Sequence, residues 1–317
     1  MFNLEKIRDR LLVKTSHEVH NTYRERRNWF RLILKLKASV IPAILPRVIL
    51  CCSFALLISW LYSLGIEKVS LDTLNGLVPT IVLGLLLVFR TNTAYDRFWE
   101  GRKLWECLVS TSRNLARFIW VTIPDNKPNH RKEKVKALKL IAAFSVATKL
   151  HLRSEDVNQE LVELLPPEYL TELKTINHRP LKIAFWLADY FQKEYDEGRL
   201  IILQMISLTK LLDIMVDCLG GCERILKTPL PLIYSIHLRQ LALLYCLSLP
   251  FQVVNELLWL TPFFVSFVSF AVFGIEEIGI EIENPFGHDH NDLALDQICC
   301  TMKINIRDLM NLDPQDV

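Results

Sequence analysis

Hydrophobic and polar positions in this chain separate into four long uncharged runs and the polar stretches between them. Val48–Ile66 lies between Arg47 and Glu67, and Thr73–Phe89 lies between Asp72 and Arg90. After a long charged middle, Pro229–Asn255 is interrupted only by Arg239, and Leu257–Ile275 ends at Glu276. A helix needs about 20 apolar residues to cross a bilayer, with about 17 as the lower limit. The runs therefore predict an all-α membrane protein with four membrane helices, at about 40–66, 74–95, 229–255 and 257–278, arranged two and two. Residues from about 96 to 228 and from about 279 to 317 form the wet helical part of one domain spanning 1–317.

Periodicity in the polar middle is helical. Val135, Leu138, Ile141, Ala142 and Val146 recur at three- and four-residue steps within Lys132–Arg153, the spacing of one helix face. Leu181–Tyr195 and Leu200–Leu226 predict two further helices. Pro124, Asn126, Pro128, Pro166, Pro167 and Pro180 punctuate the region, because proline removes a backbone donor and blocks the preceding turn. From Arg90 to Ile123 the single breaker is Gly101, so the second membrane helix is expected to run straight on out of the bilayer.

Charge adds a direction. Before Val48 there are 11 Lys/Arg against 4 Asp/Glu. Basic residues stay on the cytoplasmic side, so both termini and the middle are expected there. The first apolar run starts too late for a cleavable signal peptide, and Glu5, Asp9, Glu18 and Glu25, near Trp29 and Phe30, argue against a transit peptide. The eight cysteines, with the pairs Cys51–Cys52 and Cys299–Cys300 and the helical neighbours Cys218 and Cys222, match no metal-finger spacing and read as reduced, buried thiols.

The run Phe89–Trp105 (FRTNTAYDRFWEGRKLW) resembles the signature of the bestrophin family in its prokaryotic branch. Gly220–Ile225 with Thr228–Pro231, then Glu283–Gly287, then Asn291–Asp296, resemble it further, in the same order along the chain. The resemblance implies a homopentamer with one central pore lined by the second membrane helix. It implies a ligand-independent channel in the lipid bilayer for chloride and other monovalent anions, with no enzyme activity, no cofactor and no nucleic-acid partner. The membrane implied is the bacterial inner membrane or a thylakoid membrane.

Ile81, Leu85 and Phe89 stack at four-residue steps on one helix face, with Thr80 and Gly84 beside them and Gly76 a further small residue. The family's hydrophobic neck maps onto those three, although such spacing also serves lipid contact or helix packing. A collar of apolar side chains gates by dewetting and passes weakly hydrated anions most readily. A second, cytoplasmic constriction is implied within Gly221–Thr228, with Ile225 as candidate. Arg90, Arg97, Arg102 and Lys103 either concentrate anions below the neck or pair with Asp96, Glu100 and Glu106 along the helix. Arg239 is expected to pair with Glu256, Glu276 or Glu277, or to mark the membrane boundary.

Pro285–Asp292 corresponds to the acidic loop that holds calcium in animal bestrophins, and Asp289 and Asp292 match two of its side-chain ligands. His288, His290 and Asn291 replace neighbouring acids, which lowers the oxygen count calcium wants, and His288 and His290 with Asp289 offer a transition-metal donor set as the other metal reading. Alternatively Asp292 caps a helix beginning near Leu293. Two other functions fit the same wiring: a Na⁺ or K⁺ channel, and a membrane-anchored scaffold working through residues 125–227. His130, His151 and His178 in that region form no nucleophile–base motif.

Overall fold

The computed structural model describes residues 39–70, 77–125 and 127–311. The basic N-terminal segment, residues 71–76, Asn126 and the last residues lie outside them, so the expectations resting on Trp29, Phe30 and Gly76 concern undescribed residues.

Ten α-helices follow one another among the described residues, with 3₁₀ turns at Glu67–Val69 and Leu258–Leu260. They are α1 (Ile41–Ser63), α2 (Leu77–Thr122), α3 (Pro128–Leu152), α4 (Gln159–Leu164), α5 (Pro167–Thr175), α6 (Arg179–Asp196), α7 (Ile202–Lys227), α8 (Leu232–Leu257), α9 (Thr261–Glu281) and α10 (Leu295–Asn311). The prolines act at starts more than at breaks. Pro128 opens α3, Pro167 opens α5, and Pro180 sits in the first turn of α6, where the missing N–H costs nothing. Asn158 starts α4 by accepting the N–H groups of Glu160 and Leu161 at 3.1 and 3.3 Å.

α2 is 46 residues long, roughly 70 Å at the α-helical rise, and joins two separate cores. At one end, Leu83 and Leu87 of α2 pack with Ile44, Cys51 and Ala55 of α1, Leu238 and Cys246 of α8, and Val265 and Phe273 of α9. At the other end, Trp105, Leu108, Leu115 and Ile119 of α2 pack with Phe144 of α3, Phe191 of α6, Met215 of α7 and Cys299 of α10. In the second core, each fully buried Leu, Ile, Phe or Met side chain contributes about 1.5–3 kcal/mol.

The two ends differ on the outside. Around the first core the helices are apolar outward as well as inward. Ile49, Leu57 and Trp60 of α1, Ile233 and Leu244 of α8, and Phe263 and Phe267 of α9 are all exposed. A helix apolar all round needs an apolar medium. Ile41–Ser63 and the stretch Leu232–Glu281 are each long and apolar enough to cross a membrane. The latter is turned midway by the 3₁₀ segment, where Leu258 has φ 46° and Ser59 of α1 donates to its carbonyl at 3.1 Å.

Candidate functional site

Along α2, burial follows the helical period. Leu83, Leu87, Arg90, Ala94, Trp105, Leu108, Leu115 and Ile119 face the other helices of the chain. The opposite face carries Ile81, Leu85 and Phe89, which are 63, 52 and 56% exposed. The three residues expected to stack thus share one face left uncovered by the rest of the chain. Gly84 beside them is also open, since a Cβ there would meet nothing within 4 Å. Thr80 instead meets α8, its hydroxyl 3.1 Å from that of Tyr245.

Past the apolar segment the same side of α2 turns mostly polar, with Trp99, 48% exposed, among the polar residues. Asn92, Asp96, Lys103, Glu106, Ser110, Arg113 and Arg117 are exposed. Exposed Arg102, Lys103, Arg113 and Arg117 outnumber exposed Asp96 and Glu106. The pairing expected along the helix is not what forms: Glu100 meets Arg224 of α7 at 2.5 Å, and Lys103 lies over the Trp99 ring, 6.0 Å from its centre.

Arg90 and Arg97 turn inward. Arg90 is buried against α9, with Nη1 3.5 Å from Glu276 and Nη2 3.9 Å from Glu283. Arg97 donates to the backbone carbonyls of Ile225, Thr228 and Glu283. Arg239 donates to Glu276 at 3.0 Å, one of the partners expected for it. Arg47 reaches Glu276 at 3.3 Å and Glu277 at 2.9 Å. Glu276 therefore collects guanidinium groups from α1, α2 and α8.

Ile225 is corrected as an aperture residue. Its side chain is 3% exposed within the second core, packed against neighbouring helices of the chain, and is not open to line a passage. α7 is apolar and open at its other end, where Ile201, Ile202, Leu203 and Ile206 are 54–69% exposed. A run of bulky apolar residues at a helix start was the sequence signal for this patch. Cys107 is likewise exposed, while Cys51, Cys218, Cys222, Cys246 and Cys299 are buried, and all eight cysteines are free.

The loop between α9 and α10 is pinned from several sides. Asp289 is exposed, and its backbone N–H donates to Asp292 at 2.8 Å. Asp292 thus closes the loop on itself, and α10 begins later, at Leu295, which corrects the expectation that Asp292 caps a helix starting near Leu293. Burial, then repulsion from Asp289 and Glu281, outweighs that backbone hydrogen bond and holds the Asp292 carboxyl above its ordinary range. His288 contacts Glu155 of the α3–α4 connection at 2.6 Å, and Asn291 donates to Glu281 at 2.8 Å. Pro285 and Phe286 pack onto α2 where Gly101 leaves room: a Cβ there would lie 3.1 Å from both rings.

Comparisons with known proteins agree with one another. The model of the family described as bacterial/fungal bestrophin protein matches residues 21–308. A voltage-dependent anion channel-forming protein of Synechocystis is 54% identical over 93% of this chain and 96% of its own length. A protein of the same description from Nostoc is 54% identical over 91% of this chain and 94% of its own, and one from Escherichia coli K12 is 31% identical over 89% and 92%. Among solved structures, a bacterial bestrophin homologue from Klebsiella pneumoniae superposes with a TM-score of 0.77 at 29% identity, over 86% of this chain and 100% of that one.

Proposed function

The chain belongs to the bacterial/fungal bestrophin family, and from that premise we propose that it is an integral membrane channel, not an enzyme, for chloride and other monovalent anions. Its relatives' description as anion channel-forming proteins supports the sign of the ion. The observation that carries the proposal is the uncovered apolar face of α2. Ile81, Leu85 and Phe89 stand open at the membrane end of a helix whose other face is packed against its own subunit.

One copy of that face cannot enclose a path. A closed cyclic assembly turns it into a tube, and a homopentamer around one axis is the assembly we assign. The three residues then form a short apolar collar, which passes ions that shed water easily and closes by dewetting. Beyond the collar, the basic excess on the exposed side of α2 raises the local anion concentration. Ile201–Leu203, apolar and open at the far end of α7, replace Ile225 as the second constriction. The chain crosses the bacterial inner membrane, with a thylakoid membrane as the alternative, and keeps both termini in the cytoplasm.

Purified protein in a planar bilayer under a KCl gradient tests this. Current reversing near the chloride equilibrium potential, with nitrate and bromide also permeant, is expected. Reversal near the potassium potential would assign a cation channel, and absence of current from intact protein would assign a scaffold. Native mass spectrometry is expected to show five subunits.

A further inference from the structure

Three side chains from three separate helices converge near the membrane-proximal end of α7. His151 stands in the last turn of α3, His178 at the N-cap of α6, and Glu223 near the C-terminal end of α7. Nε2 of His151 and Nε2 of His178 each lie 2.8 Å from Glu223 Oε1. The three ligand atoms all fall within 4.8 Å of one another. The two imidazole rings stack 4.7 Å apart at 28°, so their Nε2 atoms point the same way. Side-chain exposures of 24, 37 and 16% leave the cluster half-buried.

We propose that His151, His178 and Glu223 bind a divalent transition metal ion of the zinc class, with solvent completing a tetrahedral shell. Two imidazole nitrogens and one carboxylate oxygen are a donor set that zinc accepts. Calcium and magnesium want oxygen throughout. Without a metal, the two imidazole Nε2 atoms share one carboxylate oxygen, whereas a metal at the centre takes all three groups at once. Lys227 holds the other oxygen, Oε2, at 2.8 Å, and so fixes the carboxylate with Oε1 toward the histidines, as groups behind metal ligands do. Metal on His178 Nε2 places the ring proton on Nδ1. That gives up the cap contact from the Leu181 N–H, which is already long at 3.4 Å.

The site also touches the path from α7 to α2. Arg224, the next residue, pairs with Glu100, and the carbonyls of Ile225 and Thr228 hold Arg97. A metal at Glu223 clamps α3, α6 and α7 where α2 is anchored, and the inference stands whether or not the channel reading does.

Full-length protein in detergent, reduced, is titrated with Zn²⁺ alone and separately with Co²⁺. The expected result is one saturable site per subunit, a rise in melting temperature, and a cobalt spectrum of nitrogen and oxygen ligation without an intense thiolate band. His178→Asn retains a helix-capping side chain and, combined with His151→Gln, removes two ligands. This variant is expected to elute as the native assembly and to lose one bound ion per subunit, as is Glu223→Gln. Zinc binding that survives the double histidine variant, a thiolate-dominated cobalt spectrum, or no saturable binding would overturn the proposal.

Discussion

Arg90 Nη1 and Glu276 Oε1 stand 3.5 Å apart where α2 meets α9, with side chains 1 and 2% exposed. Immediately after Phe89, the chain thus places its first charge among its own packed helices and not on the uncovered face. Glu276 also receives Arg239 at 3.0 Å and Arg47 at 3.3 Å. Three helices are tied to α9 through one carboxylate.

Removing that carboxylate leaves a buried guanidinium short of its counter-charge. Breaking one partner of a buried pair costs about 3–5 kcal/mol. Glu276→Gln is expected to lower the melting temperature sharply and reduce the yield of assembled protein. Arg239→Gln should be milder, since Arg239 is 52% exposed at its side chain. Thermal melts in detergent rank the two, and a wild-type melt for Glu276→Gln would show that the cluster contributes nothing.

A second buried charge sets a pH dependence in the polar domain. Lys149, 1% exposed, donates to Glu160 at 2.6 Å and Asp296 at 2.8 Å. Burial pulls its pKa down, but the hydrogen bonds to Asp296 and Glu160 outweigh burial and hold it above the ordinary lysine value. Glu160 and Asp296 feel burial upward, but Lys149 and the neighbouring cations outweigh it and hold both below the ordinary carboxylate range. Depressed carboxylates contribute stability above their unfolded pKa and lose it as pH falls through the folded one. The raised lysine contributes below its unfolded pKa and loses that only as pH rises through the folded value. Stability should therefore fall on acidification through and below the ordinary carboxylate range, and again at strongly alkaline pH. Lys149→Met should flatten the acid limb in urea unfolding followed against pH; an unchanged limb would assign acid sensitivity to other groups.

Calcium should matter little. Asp292 is committed to the Asp289 N–H, and His288 and Asn291 tie the loop to Glu155 and Glu281. Asp289 and Asp292 bring only two carboxylates, one of whose oxygens already holds the Asp289 N–H, whereas calcium wants about six to eight oxygen ligands. Micromolar calcium is expected to leave bilayer currents nearly unchanged. Strong activation that Asp289→Ala abolishes would make the loop a working sensor.

How much the chain disclosed in advance depended on how local each signal was. The apolar runs and the breaker-free stretch after Arg90 lie within single segments, so α2 was legible as one long helix. Arg239 was legible as a charge in need of an acid because its cost in an apolar run is local. The convergence of Arg47 and Arg90 on the same Glu276 was not, since it joins residues far apart in sequence. Ile225 failed for a related reason: which side of α7 faces the core is decided by α2, α3 and α6 packing on it. Asp292 failed because a short acid before a helix looks the same whether it caps the helix or closes the turn before it. His151, His178 and Glu223 carry no spacing motif at all and meet only in three dimensions.

The apolar face of α2 decides between a pore lining and a packing surface. Ile81, Leu85 and Phe89 are changed together to Ala, and single-channel conductance is measured beside the oligomeric state. A pore lining predicts an intact pentamer with larger, less gated currents and anion selectivity retained, because water enters once the collar is gone. Packing or lipid contact predicts a weakened assembly, since large-to-small changes in a packed core cost about 2–5 kcal/mol each. Loss of the pentamer, or an intact pentamer with wild-type conductance and gating, would contradict the pore assigned to this face of α2.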